Sequence, residues 1–327
     1  MILTQNHQCK NIAVENKQFY RDVISGLQLR PKQLQSKYFY DENGDKLFQD
    51  IMNSPEYYLT DCEMEIFTRQ TKQLAAAIRK GGEPFDLIEL GAGDATKSIH
   101  LLKQLMDEGA DFTYLPIDIS DHVISYLDAT LPVSLPGLKI TGLNGEYFDM
   151  LKKASAISNR RKVVLFLGSN IGNMPVSDAQ EFCNEIRKHI SAGDMLVMGV
   201  DLKKDPKTIR AAYDDKEGIT KQFNLNLLTR INRELHADFN VDSFDHYCSY
   251  DPETGSCKSY LISLTQQQVC VNGENISFEK DEYIYMEISQ KYTVNEIDQM
   301  ADAAGFKTLD HLYDDRGWFT DSVLIAE

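Results

Sequence analysis

The segment Glu89-Leu90-Gly91-Ala92-Gly93-Asp94-Ala95-Thr96 sets two glycines one residue apart, directly after a short apolar run. At a strand-to-helix turn, glycines let the backbone bend tightly and let a ligand approach where a Cβ would stand in the way. A dinucleotide fingerprint needs a third glycine at position 96, where this chain has threonine. A pyrophosphate must come close to the helix N-terminus. The methionyl part of S-adenosylmethionine needs mainly a glycine-lined groove. Asp118, near the end of the next apolar run, is placed to accept hydrogen bonds from ribose hydroxyls. A Gly-x-Gly turn also serves structure alone, but the acidic residue and the lack of a P-loop elsewhere favour a nucleoside ligand. Neither an H-E-x-x-H metal motif nor a G-x-S-x-G elbow is present, and no metal is expected.

Three further groups of residues could hold a substrate. Gly168-Ser169-Asn170-Ile171-Gly172-Asn173 follows the apolar run Val163–Leu167. In open α/β sheets ligands bind beyond the carboxyl ends of strands, so Asn173 is a candidate donor to a ligand carboxylate. The alternative is a turn asparagine that caps local backbone. Tyr283, Tyr285, Glu287 and Ser289 alternate with Ile284, Met286 and Ile288. Period-two geometry puts the polar set on one strand face and the aliphatic set on the other. A carboxylate and a hydroxyl two residues apart could grip a side chain with two ring nitrogens, such as imidazole, or simply face solvent. The third group is the aromatic set Tyr38, Phe39, Tyr40, Phe48, Tyr57 and Tyr58, with Tyr213 and Phe223. Such rings usually fill cores. They also suit an ammonium becoming quaternary, with cation–π attraction of roughly 0.5–2 kcal/mol.

The elements that must position these residues are legible in the pattern. Polar helical turns broken by Pro31, Gly44 and Pro55 are expected first, then a helix over about 63–79 stopped by Gly81-Gly82. Strands near 87–90, 114–119, 163–167 and 195–202 alternate with helices, one carrying Ile99, Leu102 and Leu105, another Phe182, Ile186 and Ile190 behind a Ser177/Gln180 capping box. This alternation predicts a parallel, doubly wound sheet with right-handed crossovers. After Asp201 a helix with Ile219, Phe223 and Ile231 gives way to β-rich sequence from about Phe244. Asn272-Gly273 there signals a type I′ hairpin. Thr293 and Glu296 form a second capping box ahead of a helix closed by Gly305, and strands near 308–313 and 322–326 finish the chain. The expected fold is α/β: a Rossmann-like domain over 62–200 plus 290–327, with an inserted α+β substrate-binding domain over 10–61 plus 201–289.

The 327 residues suffice for about two domains on a prior of roughly 150 each. With 34 basic against 50 acidic residues the net charge is −16, a field that repels phosphate backbones, so no nucleic-acid partner is expected. The opening MILTQNHQCK has no apolar signal core, and no run nears the roughly 18 apolar residues of a membrane span. None of the six cysteines, Cys9, Cys62, Cys183, Cys248, Cys257 and Cys270, forms a C-x-x-C pair. Reduced thiols, a cytoplasmic location, no membrane partner, a small-molecule amino-acid substrate and a monomer are the expectations.

At these positions the sequence resembles the L-histidine Nα-methyltransferase family of ergothioneine biosynthesis over nearly the whole chain. The match runs through Lys37-Tyr38-Phe39-Tyr40-Asp41, Pro55-Glu56-Tyr57-Tyr58, Glu89-Leu90-Gly91-Ala92-Gly93, Phe166-Leu167-Gly168-Ser169 with Ile171-Gly172-Asn173, Ala212-Tyr213-Asp214-Asp215, Asn232-Arg233-Glu234-Leu235 with Ala237-Asp238-Phe239, and Glu287-Ile288-Ser289. The resemblance implies that Gly91, Lys97 and Asp118 contact S-adenosylmethionine, that Asn173 and Tyr213 hold the substrate carboxylate, and that Glu287 and Ser289 hold the imidazole. It implies that Tyr40, Phe48 and Tyr57 wall the pocket, with Tyr40 near the reacting amine, and that Gly168 and Asn170 line the methyl passage. Tyr40 and Asn170 are thus the expected catalytic residues. Asn144 and Gly145, with Gly93, are expected on the cofactor side; bacterial members usually carry an Asp-Phe pair against adenine where Asn144 and Gly145 stand. The implied reaction is N-methylation of the histidine α-amine to a trimethylated betaine. Another aromatic or modified amino acid, or a binding protein without catalysis, are the alternatives.

Overall fold

The computed structural model describes residues 16–327. Cys9, the opening ten residues and the expected domain start at residue 10 lie outside the described residues. The chain forms two compact units, one running to Tyr58 and resuming over Asp205–Ser289, the other comprising Leu59–Lys204 and Gln290–Glu327. Among the described residues, no helix is long and apolar enough to cross a membrane.

The larger unit is built on a seven-stranded sheet. Its strand order is Phe306–Tyr313, Phe319–Ala326, Met195–Asp201, Arg161–Phe166, Phe85–Leu90, Phe112–Asp118, Leu143–Asn144. Phe319–Ala326 runs antiparallel to both its neighbours, and the strands from Met195–Asp201 to Leu143–Asn144 are parallel. Every residue of Phe85–Leu90 and of Met195–Asp201 is buried, the signature of a sheet covered on both faces. On one face the core gathers Ile88, Leu115, Val164 and Leu196 with Phe182 and Ile186 of the helix Val176–His189 and Ile297 of the helix Val294–Ala303. The chain lays down Phe85–Leu90, steps outward to Phe112–Asp118 and Leu143–Asn144, then returns to Arg161–Phe166 on the other side. Strand order therefore reverses between Phe85–Leu90 and Arg161–Phe166, the position at which doubly wound sheets open a crevice for ligands.

Local chemistry explains where this unit departs from expectation. The helix expected over 63–79 is two helices, Leu59–Arg69 and Thr71–Ile78. The Thr71 hydroxyl donates to the Phe67 carbonyl, the acceptor that a continuing helix would offer to the Thr71 amide, and such back-bonding bends helices. The Ser177/Gln180 capping box does not form. Pro175 takes the N-cap, so Ser177 falls inside the first turn, where its hydroxyl turns to Asp178 at 2.9 Å and Gln180 reaches Asn184 at 3.1 Å. The Thr293/Glu296 box does form. Glu296 N–H donates to Thr293 Oγ1 at 3.2 Å and Thr293 N–H to Glu296 Oε2 at 2.6 Å, with Gly305 at φ +81° just past the helix end.

The smaller unit packs the helices Lys17–Gln28, Glu42–Met52, Pro206–Tyr213 and Ile219–Leu235 with a four-stranded sheet ordered Lys32–Gln33, Tyr283–Gln290, Ser256–Ser263, Phe244–Tyr250. Phe19, Val23, Phe223, Leu227, Ile231, Phe278, Ile284 and Met286 share its core. The hairpin Gln267–Val271/Glu274–Phe278 turns through Asn272 and Gly273, both at positive φ, as a type I′ turn requires. Gly44 does not break the chain as expected. It sits inside Glu42–Met52 because a Cβ there would run into the Phe39 carbonyl oxygen, while the Asp41 carboxylate caps the helix by accepting Gly44 N–H at 2.8 Å. Cys62, Cys183, Cys248 and Cys257 are buried thiols outside any disulfide; Cys270 is disulfide-bonded, which corrects the expectation of reduced thiols at that position.

The contrast between the two capping boxes is measurable. Thr293→Ala should lower unfolding free energy by about 1 kcal/mol, whereas Ser177→Ala should change it by less than about 0.5 kcal/mol, as read from urea midpoints.

Candidate functional site

At the carboxyl end of Phe85–Leu90 the chain turns through Gly91 at φ +71° and Gly93 at φ +53°. A Cβ on Gly91 would lie 2.7 Å from the Tyr147 hydroxyl oxygen, while Gly93 faces open space. Side chains are thus excluded at the first glycine by contact and at the second by backbone conformation. Beneath the turn, Glu89 is fully buried and accepts the Tyr114 hydroxyl at 2.5 Å. Burial pushes its carboxyl up from 4.5 to about 7, against the lowering effect of Tyr114 and Ser98.

Asp118 ends the adjacent strand, with one carboxylate oxygen accepting Ser120 N–H at 2.9 Å and the other near Gly93 N–H at 3.3 Å. A carboxylate has about four acceptor positions, so capacity remains for a pair of hydroxyls. Asn144 spends its side-chain amide on the carbonyls of Asp118 (3.1 Å) and Ile119 (3.0 Å), and Gly145 N–H donates to the Asp118 carbonyl at 3.0 Å. These two residues clip neighbouring strand ends together and hold Asp118 in place.

Across the reversal point, Gly168 follows Arg161–Phe166 at φ +73°. Built on Gly168, a Cβ would stand 3.7 Å from both Lys97 Nζ and Asn170 Nδ2. The loop then tightens: Ser169 adopts φ +56° with its hydroxyl accepting Asp201 N–H at 3.1 Å, and Asn173 Nδ2 donates to Asn170 Oδ1 at 3.3 Å. That bond joins two side chains and is not the backbone cap of the alternative reading of Asn173. Lys97 pairs with the buried Glu63, whose carboxylate also accepts Gly168 N–H at 2.8 and 3.0 Å. The larger unit thereby gathers Gly91, Gly93, Lys97, Asp118, Asn144, Gly145, Gly168, Asn170 and Asn173 at the carboxyl ends of its parallel strands.

The smaller unit gathers the remaining candidates in two groups. The Tyr40 ring packs edge-on to Phe48 at 5.6 Å and to Phe223 at 5.8 Å, and Tyr40 is half exposed. Tyr57 lies edge-on to Tyr213 at 6.1 Å, and the Tyr213 hydroxyl meets Ser289 Oγ at 2.7 Å. On Tyr283–Gln290 the aliphatics Ile284, Met286 and Ile288 are buried, and the opposite face carries Tyr285, Glu287 and Ser289. Ser289 is only 7% exposed, so a fully solvated face does not describe its surroundings. Burial, then Tyr260 and Glu287, push the Tyr285 hydroxyl up to about 12, so it stays protonated as a donor.

Sequence reasoning missed Glu63, Asp321 and Tyr147. Glu63 reads as an ordinary helix residue, and Asp321 is a lone acid in an apolar strand.

A sheet of this order, with a glycine turn and an acidic residue at its first two parallel strands, defines a Rossmann-like class I methyltransferase interrupted by an insertion. The chain belongs to the family described as histidine-specific, S-adenosylmethionine-dependent methyltransferases, whose model matches residues 19–326. It is 34% identical over 301 residues to the histidine N-alpha-methyltransferase of Mycobacterium tuberculosis, covering 91% of this chain and 92% of that one. The corresponding protein of Mycolicibacterium smegmatis is 33% identical over 304 residues, covering 92% and 90%. Ergothioneine biosynthesis protein 1 of Neurospora crassa is 33% identical over 285 residues, 85% of this chain and 31% of that longer protein.

Glu89 gives the site unit a pH signature. Its carboxyl is held above the unfolded value, so the stability it contributes is complete below about pH 4.5 and is lost as pH rises through about 7. Glu89→Gln should flatten that part of the stability profile, a difference of order 2–3 kcal/mol in urea unfolding between pH 5 and 8.

Proposed function

We propose that this chain is an S-adenosylmethionine-dependent N-methyltransferase that acts on the α-amino group of L-histidine and proceeds to the trimethylated betaine. The observation that carries the reading is one strand face bearing both Glu287 and Ser289, with Ser289 joined to Tyr213 at 2.7 Å. A carboxylate accepts an N–H from one imidazole nitrogen, and a hydroxyl can donate to or accept from the other. An indole offers a single ring nitrogen and so can engage only one of the two groups. The names of the family and of its relatives support the same substrate class and ergothioneine biosynthesis as the setting.

In this reading the larger unit holds S-adenosylmethionine, which supplies an electrophilic methyl group when bound. Gly91 and Gly93 offer the groove, Asp118 the ribose acceptors, and Lys97 a cation for the methionyl carboxylate. Asn144 and Gly145 border the adenine side. Gly168 and Asn170 border the path of the methyl group, and Asn173 offers an amide to a carboxylate. The smaller unit holds the amino acid: Glu287 and Ser289 the ring, Tyr213 the carboxylate, and Tyr40, Phe48 and Tyr57 the walls. The fit rests on the crowded Cβ position at Gly91, the open space at Gly93 and the spare acceptor capacity of Asp118.

Only a neutral amine attacks, so each methylation requires one proton to leave the nitrogen. That proton leaves before binding or along a water path, while Tyr40 orients the amine. Positioning then supplies most of the acceleration. As methyl groups accumulate, the positive charge is favoured by the rings of Tyr40 and Phe48 through cation–π attraction.

Incubation with S-adenosylmethionine and each common amino acid tests the reading. S-adenosylhomocysteine release confined to histidine, with a product heavier by up to three methyl groups, is the expected result. Turnover of a different amino acid overturns the imidazole assignment, and silence across the panel overturns catalysis. Glu287→Ala should raise the histidine KM at least about tenfold while S-adenosylmethionine affinity stays within about twofold. Equal loss of both would refute the role of Glu287.

A further inference from the structure

Behind Lys97 two carboxyl groups meet in the interior of the larger unit. Glu63 is 1% exposed and Asp321 is fully buried. Both border one backbone position: a Cβ on Gly199 would run into the Glu63 carboxylate and lie 3.2 Å from Asp321 Oδ1. Glu63 is well supplied, with Gly168 N–H on both oxygens and Lys97 in an ion pair. Neither oxygen of Asp321 has a hydrogen-bond partner among the described residues. Two ionised carboxylates against one ammonium would leave an uncompensated charge in the core, which is costly. A proton on one of them removes that charge and gives the orphaned oxygen a partner.

We propose that Glu63 and Asp321 share one proton and serve as positioning residues, the singly charged pair fixing Lys97 and the Gly168 amide where the methyl donor is held. The inference rests on the cofactor assignment above and adds what keeps that half of the site in place. Glu63 joins the residue offered to the methionyl carboxylate with the loop offered to the methyl path, so its charge sets both. Burial, then the neighbouring Glu63, push the Asp321 carboxyl well above the usual range, in keeping with Asp321 as the proton carrier. Burial lowers the Lys97 ammonium, but Glu63 above all, with Asp321 and Glu89, raises it above its usual value, so Lys97 stays charged. Glu89 on Phe85–Leu90 also acts on Lys97, and Gly199 on Met195–Asp201 borders both carboxyl groups.

The test is calorimetric binding of S-adenosylhomocysteine, which lacks the labile sulfonium, to the full chain and two variants. The scan runs from about pH 8, where Glu89 is already ionised, to about pH 10. Asp321→Asn carries a permanent N–H donor in place of the shared proton. It should keep wild-type affinity within about twofold at the lower pH and lose less affinity than wild type as pH rises. Glu63→Gln removes the charge and should weaken binding at least about tenfold throughout. Wild-type affinity in Glu63→Gln, or Asp321→Asn as weak as Glu63→Gln or with an unchanged alkaline fall, overturns the proposal and leaves the cofactor assignment standing. Absence of binding by the wild-type chain overturns that assignment and this inference together. Should Glu63→Gln fail to fold, the Asp321→Asn profile decides alone.

Discussion

The reversal of strand order between Phe85–Leu90 and Arg161–Phe166 is the constraint on which the larger unit's chemistry depends. Helices cannot cover the sheet edge where successive crossovers leave in opposite directions, so backbone there stays open to a ligand. Two loops flank that opening, and both begin with a glycine at positive φ, Gly91 and Gly168. With no Cβ at these two positions, the backbone itself can come close to a ligand there. The Tyr147 hydroxyl, Asn170 and Lys97 fill in around them.

Opening a sheet edge exposes polar backbone, and the protein answers with charged and neutral polar side chains. Glu63 takes Gly168 N–H, Ser169 takes Asp201 N–H, and Asn144 takes carbonyls at the end of Phe112–Asp118. Other buried charges of this unit are paired. Lys291 and Asp201, both fully buried, lie 2.6 Å apart, and Lys162 meets Asp86 at 2.7 Å. Such pairs contribute little net stability, because desolvation offsets much of their attraction, but breaking one leaves an unpaired charge. They hold loops in one arrangement, which is what a reaction governed by positioning requires.

The smaller unit solves a different problem with the same economy. A single strand, Tyr283–Gln290, contributes Ile284 and Met286 to the core on one face and Glu287 and Ser289 to the candidate pocket on the other. Strand pairing thus fixes the spacing of carboxylate and hydroxyl. Aromatic rings on either side of Phe223 belong partly to that core and partly to the surface around Tyr40, so the wall and the foundation are continuous.

The sequence by itself determined the parallel α/β sheet, the Gly91/Gly93 turn with Asp118, the Asn272-Gly273 hairpin, the Thr293/Glu296 cap and the two-faced strand at 283–289. The turn, the hairpin, the cap and the two-faced strand are each specified by residues within a few positions of one another, through periodicity, left-handed backbone preference or side-chain reach, while the sheet and the place of Asp118 follow from the alternation of strands and helices. What needed the tertiary structure was every feature set by distant partners. Helix 63–79 breaks at Gln70 through a bond that competes with the helix, the Ser177 box loses its place to Pro175, and Gly44 is required by the Phe39 carbonyl rather than by a turn. Above all, Glu63, Lys97, Gly168 and Asp321 are scattered over more than two hundred and fifty positions in sequence and meet only when the sheet is assembled. No local pattern distinguishes a buried carboxyl from an exposed one, because burial is a property of what the rest of the chain brings against it.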